Sequence, residues 1–534
     1  MPIKEAASSL TSTSLRKGQG QVEVWRSLLA NFNLLLNYWV AGSFFVLLLA
    51  CYFVFFWHLD ALSLRTYDEA RRAVNALEMS LNGNFIVSYF DGQPDLWGTK
   101  PPLLLWLIVA CMKVFGYNEF AVRLPSAIAA TTTVLTLFLF STFYLQSLVV
   151  GITSAFVLMT SYGYVAEHVA RTGDYDALLT LWITVYSLAY FVYIHASSSK
   201  KPWYLWLTAI AIVLAMWTKG IAALIPLLGL FVYTIYQKRL GQLLRSPSFY
   251  GSAIFVIGAG LSYYLLREYY NPGYLEAMLS NEVGRYSESV EGHTGNFWFY
   301  LQQMQRTFIP WLYLLLPGLV VTQISQKRLI KALGAFCGFY LICHFLVVSS
   351  SQTKLAWYNV PQYPIAALLI GLGVAEACHW LIKYLRVNPR SKQQLIAGLF
   401  VCALLFLPSL RMARKVSGTY VHSRPHDPPE VQLGYYLRRL QKTQPELTTF
   451  QVMDVAKGTV GGRRAHTLFY VKAADLDPKY AIALVTPEQT VPNNQVVVTC
   501  IPAIKTQLVA RYQLSTIDTK GACSALMVKQ AKAS

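Results

Sequence analysis

The sequence predicts an α-helical polytopic membrane protein, with a small α/β domain after the last span. Three observations predict it. The 534-residue chain is 55% hydrophobic and only 13% charged, with a mean hydropathy of +0.39, more apolar than a soluble domain needs. Apolar runs of membrane-spanning length recur along most of it. After about residue 410 the pattern changes to short alternating or apolar runs between turn residues.

By the rule of roughly 20 apolar residues per span, about eleven spans are expected. They begin near Tyr38, Leu124, Leu148, Ala177, Trp203, Ile221, Phe249, Phe308, Leu329, Pro361 and Leu395. The apolar run from Leu103 to Phe115, after Pro101-Pro102, is too short to cross and reads as re-entrant or interfacial.

The formal net charge of +19 raises the question of nucleic acid. Its placement excludes that reading. The basic clusters Lys200-Lys201, Lys238-Arg239, Lys327-Arg328-Lys331 and Lys383-Arg386-Arg390-Lys392 lie in loops between spans. All fall on one side if Lys4, Arg16, Lys17 and Arg26 are cytoplasmic, which is the positive-inside pattern. The partners this implies are membrane lipids. The first apolar run comes after a long polar lead without a small-residue cleavage site, so it reads as a signal anchor.

The expected organisation is a cytoplasmic lead (1–35), a membrane domain (36–410) with outer loops 59–123 and 268–307, and an extracytoplasmic domain (411–534). With 103–115 not crossing, polar segments 59–123, 167–176, 217–220, 268–307 and 349–360 share the outer face with that last domain. In it a helix is expected at 430–442, and strands at 449–455, 466–472, 481–486, 495–500 and 508–514. Of eight cysteines, six are scattered through apolar segments. Cys500 and Cys523 lie outside, where the compartment permits a disulfide. No Cys/His spacing for zinc occurs.

Charge gathers in the first outer loop. Thr66-Tyr67-Asp68-Glu69 opens a helix whose apolar face is Ala70, Val74, Leu77 and Leu81. Thr66 with Glu69 makes a capping box, which accounts for Glu69 structurally. Asp68 in the first turn also suits the helix dipole. An acid pair at the mouth of a membrane cavity equally suits taking a proton or holding a cation. Lys100, before Pro101-Pro102, is either a snorkelling lysine or a phosphate ligand. Asp174 and Asp176 form an Asp-x-Asp after Glu167-His168 and Arg171, either a divalent-cation pair or the N-cap of the next span. Lys100, Lys219, Arg285 and Lys354 assigned to one face point to an anionic headgroup.

The ordered series Asp68-Glu69-Ala70-Arg71, Lys100-Pro101-Pro102, Asn118-Glu119-Phe120 with Arg123-Leu124-Pro125-Ser126, Ala170-Arg171-Thr172 to Asp176-Ala177, Thr218-Lys219-Gly220, and Lys354-Leu355 to Tyr363-Pro364 resembles the GT-C membrane glycosyltransferases. In particular it resembles the protein mannosyltransferase and lipid A aminoarabinose transferase (ArnT-like) group, over roughly residues 35–385. The resemblance implies a GT-C fold of about 11–13 transmembrane helices. It also implies a polyprenyl-phosphate sugar donor, a lipid or protein acceptor, and an active site on the non-cytoplasmic face of a bacterial-type inner membrane. By position, Asp68 matches the essential loop acid, with Glu69 beside it in the catalytic pair. Arg71 and Lys100 match cations around the donor phosphate; Lys219, Arg285, Lys354 and Tyr358 match the same pocket, and Asp176 the acid of the second outer loop. Aminoarabinose transferases usually carry a glutamate, able to contact metal, before Lys-Pro-Pro; here it is Thr99. A divalent metal would then fall to Glu282 and His293 of the long outer loop.

The expected chemistry is an inverting transfer with Asp68 as base. The alternatives are a lipid-linked sugar flippase or polytopic transporter, which needs ionisable groups within the spans, and a non-catalytic scaffold.

Overall fold

The computed structural model describes residues 38–65, 67–166, 168–196, 201–290, 292–388, 390–420, 429–453 and 462–532. The expected N-terminal lead, the Thr66 cap and Glu167 lie outside them.

Helices dominate. Among the described residues, eight are long and apolar enough to cross a membrane: α1 (Tyr38–Phe56), α4 (Glu119–Tyr144), α6 (Tyr175–His195), α7 (Pro202–Leu224), α9 (Pro247–Tyr270), α12 (Arg328–Ser350), α13 (Val360–Tyr384) and α14 (Ser391–Thr419). Between them lie α2 (Asp68–Asn82), α3 (Leu103–Phe115), α5 (Leu148–Met159), α8 (Leu227–Tyr236), α10 (Phe299–Thr307) and α11 (Trp311–Ile324). A helix or a bent helix pair stands near each of the eleven expected starts, but only eight, or nine with the bent pair, reach spanning length among the described residues. Three are not full straight spans: α5, α8 and the pair α10–α11, which is bent by 111°. The apolar runs hide their breaks. Thr160-Ser161 ends α5, Pro226 precedes α8, and Pro310 cannot donate a backbone hydrogen bond at the α10–α11 corner.

Local chemistry sets several ends. The Asn118 side chain accepts from the Ala121 N–H at 3.0 Å and caps α4. Gly83, at φ 71°, ends α2 by donating to the Met79 carbonyl. A short hairpin of β1 (Tyr89–Phe90) and β2 (Gln93–Pro94) comes next. Where α11 crosses α13, a Cβ on Gly373 would stand 2.7 Å from the Gly318 Cα, so glycine lets these backbones meet.

The last span runs to Thr419, past the expected boundary at 410. The domain beyond holds α15 (Pro429–Thr443), α16 (Gly462–Asp475) and α17 (Pro502–Arg511). Its strands are β3 (Thr449–Met453), β4 (Ala481–Val485), β5 (Val496–Thr499), β6 (Tyr512–Lys520) and β7 (Cys523–Ala531). They form a five-stranded sheet of order β4-β3-β5-β7-β6. β3 runs parallel to β4 and β5, while β7 is antiparallel to β5 and β6. A disulfide joins Cys500 to Cys523.

Two of the expected strands need correction. Residues 466–472 lie in α16, where buried Ala465, Leu468 and Phe469 keep the helical period. Residues 508–514 straddle the end of α17 and the start of β6. β7 was not expected at all.

Candidate active site

Segments from several places along the chain converge on a cavity of about 420 Å³. Asp68, Arg71 and Arg72 come from α2; Thr99 and Lys100 from the approach to α3; Asp176 from α6; Lys219 from α7; Glu282 and Arg285 from the 271–298 loop; and Tyr358 from the α12–α13 connection. Lys100, before α3, and Asp176, at the start of α6, thus line one cavity.

Most cations there already hold a carboxylate. Arg71 makes a bidentate pair with Asp95, through Nε at 3.0 Å and Nη2 at 2.6 Å. Lys100 Nζ lies 3.0 Å from Glu282, which also accepts from Thr99 Oγ1 at 2.7 Å. Lys219 Nζ donates to Asp176 at 2.6 Å, under the Tyr358 ring. Arg72 pairs with Asp174, and with Asp68 at 3.4 Å. Arg285 differs. Its hydrogen-bond partners among the described residues are neutral: the Asn281 carbonyl and side chain at 2.7 and 3.0 Å, and the Tyr358 hydroxyl at 3.3 Å.

Asp68 is the open carboxylate. Its side chain is 42% exposed, against 1% for Asp95 and 2% for Asp174. The Arg72 guanidinium holds its carboxyl below the usual carboxylate range, against burial and the neighbouring Asp174. His168 lies 3.8 Å from Asp68 and 3.6 Å from Asp174, stacked on Trp357 with ring centres 3.7 Å apart. Burial pulls its pKa down, but Asp174 and then Asp68 outweigh that and hold it above the ordinary histidine value.

The likeness to known proteins extends over the same architecture. The family model described as dolichyl-phosphate-mannose-protein mannosyltransferase matches residues 99–264. The undecaprenyl phosphate-alpha-4-amino-4-deoxy-L-arabinose arabinosyl transferase 2 of Pseudomonas fluorescens is 28% identical over 357 residues, 66% of this chain and 59% of that protein. Its counterpart in Proteus mirabilis is 28% identical over 366 residues, 65% of this chain and 63% of that protein. The matched part thus spans about three fifths of these relatives. Among solved structures, ArnT from Cupriavidus metallidurans in the apo state superposes with a TM-score of 0.65 at 16% identity, covering 91% of this chain and 98% of that one. The chain has the GT-C fold. The Archaeoglobus fulgidus oligosaccharyltransferase agrees more distantly, with a TM-score of 0.54 at 11% identity, over 90% of this chain and 70% of that one.

Within this GT-C fold not every expected site residue reaches the cavity. Glu69 points away from it. It is 1% exposed, paired to Arg123 at 2.7 and 3.0 Å, and accepts from the Arg65 and Gly173 N–H groups. It stands one residue beyond Asp68, which turns it some 100° around the helix axis and into the protein. Lys354 is also elsewhere: its ammonium caps the Ser349 and Ser351 carbonyls at the end of α12. Asp174 occupies the N-cap position of α6 but makes no cap bond; its carboxylate turns to Arg72 and accepts from Thr172 Oγ1.

Glu282 and His293 are not brought together in the cavity. Glu282 is taken up by Lys100 and Thr99, and His293 does not line the cavity. Asp68, His168 and Asp174 do bring ligand-type atoms within 4.8 Å of one another. Arg72 already supplies a positive charge to both of those carboxylates, so this set does not fit a metal as it stands.

Sequence reasoning missed Arg72, Asp95 and His168 as site residues. Arg72 was readable, four residues beyond Asp68 on one helix face. Asp95 had no such signal. It reaches Arg71 and Asn75 because the β1–β2 hairpin folds back beside α2.

Proposed function

We propose that this protein is a glycosyltransferase that moves a sugar from a polyprenyl-phosphate donor to a lipid acceptor of the lipid A class, or to a protein, on the outer face of the inner membrane. One observation carries the reading: an open carboxylate, Asp68, shares a cavity with Arg285, a cation whose hydrogen-bond partners among the described residues are neutral. The names of the relatives, arabinosyl transferases that use undecaprenyl phosphate, support the donor class. So does ArnT from Cupriavidus metallidurans solved bound to undecaprenyl phosphate, which this chain matches with a TM-score of 0.63. A cavity of about 420 Å³ suits a sugar phosphate headgroup.

The mechanism is a single displacement. The acceptor oxygen attacks the anomeric carbon as the bond to the phosphate oxygen breaks, so configuration inverts. An acceptor hydroxyl gives its proton to Asp68 as the new bond forms; the Asp68 carboxylate is ionised at neutral pH and ready to accept it. The departing phosphate gains negative charge, which Arg285 meets first. Lys100 and Lys219 add charge once the phosphate draws them from Glu282 and Asp176. No step is routed through a metal.

The outer-face placement rests on the basic loops between spans and on the Cys500–Cys523 disulfide, which belongs in an oxidising compartment. No observation favours the flippase.

A panel of radiolabelled polyprenyl-phosphate sugars, incubated with membranes carrying the protein, tests the reading. Release of polyprenyl phosphate with label in a new lipid or protein product is expected. Label that crosses the bilayer on an unchanged carrier would overturn it.

A further inference from the structure

The C-terminal domain touches the helix that carries Asp68 without entering the cavity. No described residue after Pro361 lines that cavity. Helix α16 instead packs along the back of α2, and Lys472 pairs with Glu78 there at 2.6 Å. A lid or an acceptor selector would face the cavity; this domain grips the element behind it.

The grip centres on Tyr470. It is buried, and its hydroxyl serves three partners: it accepts from the Leu64 N–H at 3.0 Å, meets Ser63 Oγ at 3.0 Å, and donates to Glu119 at 2.5 Å. His466, one turn earlier on the same face, holds Ser63 Oγ at 2.8 Å. On its other side the same segment is held by Arg123, which donates to the Ser63 carbonyl at 3.0 Å and to Glu69. Gly434 of α15 completes the fit, because a Cβ there would run into Ser63 Oγ and the Tyr470 ring.

The backbone is strained where this segment enters α2. Tyr67, the residue before Asp68, has φ 67° and ψ −106°. A non-glycine residue in such a region costs about 1–3 kcal/mol and persists only where its surroundings over-determine it. Residues 63–65 and Glu69 are the two anchors that fix it, and Tyr470 holds the first.

We infer that Tyr470 of the C-terminal domain is a positioning residue, which holds the entry to α2 and thereby aims Asp68 into the cavity. The aim of Asp68 matters to catalysis on the transferase reading; the grip itself does not depend on it. The full chain in detergent or proteoliposomes is compared with Tyr470→Phe, which keeps the ring and loses the hydroxyl. The comparison includes Val497→Ala, a core truncation in the same domain away from this contact. Two readouts are taken: hydrogen exchange over residues 62–72, and kcat with donor KM.

Tyr470→Phe should speed exchange of the Leu64 amide and its neighbours about tenfold. It should lower kcat by about the same factor, with donor KM within about twofold. Val497→Ala should lower thermal stability without either change. Unchanged exchange at 62–72 in Tyr470→Phe overturns the inference, as does equal acceleration in both variants. Faster exchange with unchanged kcat overturns the aiming of Asp68. If the native chain consumes no donor, the transferase reading fails, while the exchange comparison still decides the grip.

Discussion

Asp68 and Arg285 stand out because the charges around them are otherwise matched. Arg71, Lys100 and Lys219 each hold an acid at 3.0 Å or closer, while the described hydrogen bonds of Arg285 go to neutral groups. Its Ala variant should therefore raise donor KM by about 10- to 100-fold, the scale of hydrogen bonds to a charged group. Lys100→Ala should raise it less, because Lys100 must first give up Glu282; steady-state kinetics over donor concentration compares them. His168 gives a pH signature. Its folded pKa lies above the ordinary 6.5, so its attraction to Asp174 and Asp68 stabilises the fold fully below that value and is lost as pH rises through the raised one. The thermal midpoint should fall as pH rises from 6.5 through the raised value, and His168→Gln should shrink that fall. At this scale Asp68, Lys100 and Lys219 were readable as charged residues at the ends of apolar runs. The turn of Lys354 away from the cavity was not, because it depends on where the last carbonyls of α12 point.

The decisive element is α2. Its helical period was plain from Ala70, Val74 and Leu77, all fully buried, although Leu81, expected on the same face, is 51% exposed. The contact that fixes it was not, since the partner of Glu69 is Arg123, 54 residues away. Breaking a buried pair leaves a charge uncompensated and costs about 3–5 kcal/mol. Glu69→Gln should thus lower the thermal midpoint sharply, whereas Asp68→Asn should leave it nearly unchanged; unfolding of both in detergent separates the two adjacent acids. The helix α16 behind α2 reads as a strand from residues 466–472 alone, because seven mostly apolar residues fit either period until the flanking Ala465 and the wider 462–475 window are counted.

The whole molecule brings loops far apart in sequence to one cavity. That grouping was expected from the placement of the basic clusters and from the short apolar run at α3. The depth of the breaks in α5, α8 and α10–α11 was not, since hydropathy averages over them. On the proposed topology, an impermeant maleimide should label a cysteine placed at Lys532 in intact spheroplasts and miss one at Tyr384, beside the basic loop after α13. One measurement tests directly whether Asp68 serves the chemistry in a cavity that binds a polyprenyl-phosphate sugar. Donor binding and product formation are measured together for the native chain and Asp68→Asn. Donor affinity should stay within about threefold and transfer should fall at least about 100-fold. Full transfer by Asp68→Asn would contradict it.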